Sequence, residues 1–169
     1  MAIVVEDATG LPTANAYVSA AACLAYAQDR GLTFTNDSAG EAAIIRASKA
    51  IDARYREGYG GVRLKYRLQG LGWPRAGAVD RDGYYIAITP LPVEIVAATC
   101  EAAVRELANP GSMQPDLERG GDIRSITAGS VGIVYGPGAV TGTTYDLIDG
   151  IMAPLIGSGG RFSGRSVRA

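Results

Sequence analysis

Apolar positions along this chain are most regular in the stretch from residue 38 to 57. Ala47, Ser48, Ile51 and Tyr55 follow Ile44 at 3, 4, 7 and 11 residues. That spacing is one stripe on an α-helix. Ser38 with Glu41 three residues on reads as a capping box, each side chain satisfying an orphan N–H of the first turn. Arg46, Lys49 and Arg56 lie off the stripe, and Gly58 ends it, so a helix over 38–57 is predicted. A second stripe joins Val93, Val96, Ala97, Cys100, Val104 and Leu107. Pro92 suits its first turn because the missing N–H would be unpaired there anyway, and Asn109-Pro110-Gly111 stops it. Ser19 opens an earlier helix carrying Ala20, Leu24, Ala27 and Gln28, with Gly31 at C′. Tyr145, Ile148, Met152 and Leu155 predict a last one, with Pro154 near its end.

Other stretches alternate with a period of two. In VRLKYRL, Val62, Leu64, Tyr66 and Leu68 interleave with Arg63, Lys65 and Arg67, the pattern of a strand or extended arm with one buried face. Short strands are also expected at Ala2–Val5 and in YYIAI after the Asp82-Gly83 turn. A hairpin is expected from 124–128 and 131–135 around Gly129-Ser130. No long repeat is visible. The expected fold is mainly α: a small helical bundle core with short β-hairpin or extended arms and a flexible C-terminal tail. The division is 1–157, a helical domain with β-arms, and 158–169, a flexible basic tail.

Composition adds bounds. A chain of 169 residues buries roughly 70% of its unfolded surface and needs no disulfide or metal to fold. Cys23 and Cys100 sit among alanines and read as buried free thiols, so nothing suggests an oxidising compartment. No stretch approaches a membrane span, and MAIVVEDATG turns acidic too early for a signal peptide. A soluble protein acting inside a cell is expected.

The chain has no histidine. That removes Ser-His-Asp and Cys-His pairs, imidazole bases and nearly all zinc sites. The expectation is no enzyme, no cofactor and no metal. The glycine clusters at 58–61 and 70–72 match neither a P-loop nor a dinucleotide fingerprint. Asp80-Arg81-Asp82-Gly83 begins like a Ca²⁺ loop but lacks the closing glutamate, so it reads as a turn. Asp146 and Asp149 read as a solvated helix face.

Two features remain. Between Arg54 and Arg75 lie six positive charges against Glu57 alone, interleaved with Tyr55, Tyr59, Tyr66 and Trp73. Cations along a phosphate backbone and aromatics stacked on bases are what a single-strand-binding surface needs. The competing reading places Tyr55 and Trp73 in the core and the arginines at a protein interface. The other feature is the end of the chain, GSGGRFSGRSVRA, which adds Arg161, Arg165 and Arg168 to a body carrying 13 basic and 17 acidic residues and leaves a net charge of −1. Such a segment can order on binding a partner.

GLGWPRAGAVDRDGYYI, continued by PLPVEIVAATCEAAVREL, together with the opening IVVEDATGLPTANAYVS and the helix EAAIIRASKAIDARY, resembles a family of tailed-phage and prophage proteins. This is the DnaT-like single-stranded-DNA-binding group, encoded among head and tail morphogenesis genes and related in fold to head-tail connector (adaptor) proteins. The correspondence runs from residue 1 to about 157, and Trp73-Pro74-Arg75 and Glu6-Asp7-Ala8-Thr9-Gly10 with Asn15 and Tyr17 are its most specific parts. The resemblance implies a structural virion protein at the head-tail interface, assembled in the host cytoplasm. It would be a head-completion protein forming a ring in the neck, expected to be a dodecamer, below the portal protein and above the next neck or tail-completion protein. DNA would pass through the channel without specific binding, which an acidic body suits. On this reading Arg161, Phe162, Arg165, Val167 and Arg168 bind the portal. Arg63, Lys65, Tyr66 and Arg67 form an inter-subunit arm or, alternatively, a DNA-binding arm within 54–75. Trp73, Pro74 and Arg75 are a structural anchor.

Overall fold

A computed structural model of the chain describes residues 2–114 and 145–156, together with the backbone of 125–128 and 131–134. The fold is mainly α. The helices are α1 (Ala20–Asp29), α2 (Ser38–Tyr55), α3 (Val93–Ala108) and α4 (Asp146–Met152). Two small antiparallel sheets accompany them: β1 (Val62–Arg63) with β2 (Arg75–Ala76), and β3 (Ser125–Ala128) with β4 (Val131–Val134), Ser125 opposite Val134 and Ala128 opposite Val131.

The centre of the molecule is the α2–α3 pair. Ala43, Ile44, Ala47 and Ile51 of α2 and Ile95, Ala98 and Ala102 of α3 are inaccessible to solvent. Alanines on both helices let the backbones approach closely, and the isoleucines fill the remaining volume. α1 packs on α3, where Cys23 and Cys100 are both buried free thiols. α4 also lies against α3, burying Tyr145, Ile148, Met152 and then Leu155 from the 3-10 turn Ala153–Leu155.

Three helix details differ from the sequence reading. The N-cap of α2 is Asp37 rather than Ser38: its carboxylate accepts from the N–H groups of Ala39 and Gly40. Asp and Ser cap about equally well, so neighbouring candidates compete, and here extended backbone falls at Asp37. The helix ends at Tyr55, its last turn tightening into the 3-10 turn Arg56–Gly58. In α3 the buried face is centred on Ile95, Ala98, Thr99, Ala102 and Glu106, whereas Val93 is exposed and Val96, Ala97, Val104 and Leu107 are half-buried. The helix is clasped by α2 on one side and by α1 and α4 on others, so no single stripe describes it.

The period-two reading of 62–68 is overturned. Only Val62 and Arg63 are strand; Tyr66–Leu68 form a 3-10 turn with Tyr66 at φ +52°. Val62, Tyr66 and Leu68 face solvent. YYIAI and AIVV likewise form no strands, contributing single bridges, Val79 with Tyr85 and Val5 with Ala16. The hairpin expected at 124–135 is present as β3–β4. At the far end, Ile156 bridges to Tyr59, and Ile156 Cγ2 occupies the space beside Gly58 that any Cβ would claim, 2.4 Å from its ideal position. The C-terminal tail lies outside the described residues.

Candidate interaction surface

The loop between β1 and β2 is held from within. Gln69, almost fully buried, donates from its amide to Leu71 O and Pro74 O and accepts the Lys65 N–H. Next along the chain, Gly72 N–H donates to Asp52 Oδ2 at 2.7 Å, and Trp73 N–H donates to the Tyr17 hydroxyl. A Cβ on Gly72 would stand 2.5 Å from Asp52 Oδ1, so glycine is what lets this turn approach the carboxylate. Burial raises the Asp52 pKa, opposed by the Tyr17 and Gly72 hydrogen bonds. The Tyr17 phenol is pushed well above its ordinary value, first by burial and then by the Asp52 charge.

Trp73 is fully buried and meets Tyr59 edge to face at 5.7 Å. Arg75 turns inward onto backbone carbonyls: Nε donates to Gly60 O at 2.5 Å, Nη2 to Gly61 O at 2.8 Å, with longer contacts to Gly72 O and Tyr59 O. Burial lowers its pKa. This guanidinium gathers the 59–61 and 72 backbone into one cluster.

Of the aromatics in 54–75, Tyr55 and Tyr59 are each 6% exposed and Trp73 not at all, whereas Tyr66 is 76% exposed. The cations divide similarly. Arg54 pairs with Asp149 at 3.1 Å, and Arg75 is consumed by carbonyls. Arg63 is half-buried and reaches Gln69 O at 3.4 Å. Arg56 is exposed at the end of α2, and Lys65 and Arg67 face water beside Tyr66 and Leu68. A shallow groove of about 270 Å³ lies next to them, lined by Thr9, Gly10, Leu11, Pro12, Lys65 and Leu68. The Thr9–Pro12 wall is shaped by buried Glu6, whose carboxylate accepts the Gly10 and Leu11 N–H groups. Burial nonetheless leaves the Glu6 pKa raised.

A family model described as "Putative DnaT-like ssDNA binding protein" matches residues 1–169. The chain belongs to this family. No curated protein and no solved structure matches it. The DnaT-like family is named for binding DNA and is not an enzyme family. In this DnaT-like chain no group of three or more potential metal ligands occurs among the described residues. The structure brings Lys65, Tyr66 and Arg67 together on one exposed turn and separates them from Trp73 and Pro74, which are buried, and from Arg75, which is half-buried. The tail residues Arg161, Phe162, Arg165, Val167 and Arg168 lie outside the described residues.

Two features escaped the sequence reading. Asp149 is no solvated carboxylate: besides Arg54 it accepts the Tyr55 hydroxyl, which carries the base of α4 onto the end of α2. Tyr84 and Tyr85 are a projecting exposed pair rather than a strand. The signal available was the rigid Asp-Gly turn directly before two aromatics.

Proposed function

We propose that this chain is a head-tail adaptor, a head-completion protein of a tailed phage or prophage. It forms a homo-oligomeric ring below the portal, joins capsid to tail and works through its geometry without catalysis. The observation carrying this reading is that the segment's aromatics are spent on the body: Tyr55, Tyr59 and Trp73 are buried, while Arg54 pairs with Asp149 and Arg75 with backbone carbonyls. A base-stacking platform needs successive exposed aromatics along a cationic groove, and of the aromatics in 54–75 Tyr66 alone is exposed. An exposed surface mixing apolar and charged residues fits contacts between protein subunits. In the ring, the tail arginines would lock onto portal carboxylates, and the acidic body would let DNA pass. Quantitative mass spectrometry of purified, DNA-filled particles tests the reading. A fixed ratio near one copy per portal subunit is expected, and absence from particles overturns it.

The family's name and the exposed Lys65-Tyr66-Arg67 turn favour a second reading, binding of single-stranded DNA. It predicts affinity for oligonucleotides that falls steeply with salt and is lost on replacing Arg63, Lys65 and Arg67. An adaptor shows little of either.

A further inference from the structure

Among the described residues, the most exposed large apolar side chains on loops fall into two groups. Tyr66 and Leu68, both 76% exposed, stand on the turn between β1 and β2; Tyr84 and Tyr85, 73% and 78% exposed, follow the Asp80–Gly83 turn. Single exposed apolar residues need no explanation, but grouped ones mark places where something docks.

The first group borders the groove of about 270 Å³. That is at the lower edge of the roughly 300–1,000 Å³ of small-molecule sites, and its shallowness suits an inserted side chain. Lys65 and Arg67 are exposed on its β1–β2 side; Asp7, exposed on the opposite wall's loop, accepts from the Thr9 N–H and hydroxyl and stays anionic. Tyr66 holds a left-handed backbone, φ +52°, uncommon for a bulky residue and a form of strain that tends to be retained at working surfaces.

The second group is aromatic and carries Asp80 and Asp82, with Arg81 as its one cation. Asp80 Oδ1 accepts the Asp82 and Tyr84 N–H groups, and the Arg81 backbone N–H donates to Pro154 O. The turn is thereby fixed to the end of α4 and presents both phenols outward. Neither tyrosine lines the groove.

We propose that these are the two halves of one interface between copies of this chain. The Tyr84–Tyr85 knob of one copy seats in the Thr9–Pro12 and Leu68 groove of the next, with Asp80 and Asp82 facing Lys65 and Arg67. The occupant is a second copy because one chain carries both an apolar groove with Lys65 and Arg67 on one side and an aromatic knob whose turn carries Asp80 and Asp82. Two different surfaces per subunit make a head-to-tail contact, which closes into a ring when the rotation allows. The inference rests on the ring reading and names the surfaces that would close it.

The test uses the full chain in two variants: a knob variant, Tyr84→Ser with Tyr85→Ser, and a groove variant, Lys65→Glu with Leu68→Glu. All four residues are exposed, and unchanged thermal melting checks that both variants fold. By sedimentation over rising concentration, the wild type is expected to assemble and each variant to stay monomeric. An equimolar mixture should form a dimer and stop there, because each variant keeps the surface the other lacks. A wild type that is monomeric throughout its soluble range, a variant that assembles normally, or a mixture that stays monomeric overturns the interface. If particles still hold a fixed copy number per portal, the ring reading survives that failure; if they hold none, both fall.

Discussion

The Tyr17 hydroxyl donates to Asp52 Oδ1 at 2.6 Å and accepts the Trp73 N–H at 3.1 Å, so one phenol joins the lead-in to α1, the middle of the core and the Trp73 turn. Replacing Tyr17 by Phe removes the hydroxyl and leaves a buried N–H and part of a buried carboxylate unpaired. Unsatisfied groups of this kind cost about 1–3 kcal/mol each. Urea unfolding of Tyr17→Phe should show a loss in that range; a change within experimental scatter would mean that Asp52 is held without it.

Arg75 and Arg67 lie in one basic segment but differ in role. Arg75→Ala leaves the Gly60 and Gly61 carbonyls without their donor, and hydrogen bonds from charged donors are worth about 1.5–3 kcal/mol. Arg67 is exposed, and surface changes of that kind stay within about 0.5 kcal/mol. Parallel thermal melts decide; equal losses for the two variants contradict the assignment.

Glu106 predicts a pH dependence. Burial pushes its pKa up, but the Gly111 and Met113 N–H groups and Arg46, 2.7 Å away, outweigh it, and the net shift is downward from 4.5. A carboxyl lowered on folding adds stability that is present above its unfolded value and disappears as pH falls through its folded one. Asp149 acts in the same sense, lowered by Arg54 and Tyr55 against its burial, while burial-raised Asp52 and Glu6 act in the opposite sense. Glu106→Gln should therefore lower stability at neutral pH and flatten the acid limb of a melting-temperature profile below about pH 4.5. A variant profile parallel to wild type would rule this out.

Removing residues 158–169 should abolish binding to the portal while leaving the melting temperature unchanged. Pull-down of the truncated chain on purified portal measures the first and calorimetry the second. Unchanged portal attachment would end the role given to Arg161, Arg165 and Arg168.

The stripe of α2 was readable because one long helix buries one face, and Ile44, Ala47, Ser48, Ile51 and Tyr55 are all buried as their spacing implies. The same reasoning placed α3 correctly but not its buried face, where alanines on several sides let three helices touch it and bury Glu106 in preference to Val93. Alternation misled at 62–68 because the buried Gln69 side chain takes the place of a strand neighbour, bonding Lys65 N–H and bending the chain into a turn. The acids that organise loops were invisible for a related reason. Glu6, Asp52 and Glu106 look like surface charges in the sequence, yet each accepts backbone N–H groups from residues folded back against it.

The bridge between Ile156 and Tyr59 also sets how the molecule bears load. A pull on the chain beyond residue 157 reaches this bridge before α4, with the Ile156 methyl lodged against Gly58 acting as a stop. Behind it, Arg75 ties the Tyr59–Gly61 backbone to the Gly72 carbonyl of the Trp73 turn, so tension on Ile156 passes into that turn. The segment after α4 is thereby joined to the Trp73 turn as well as to the helix that precedes it.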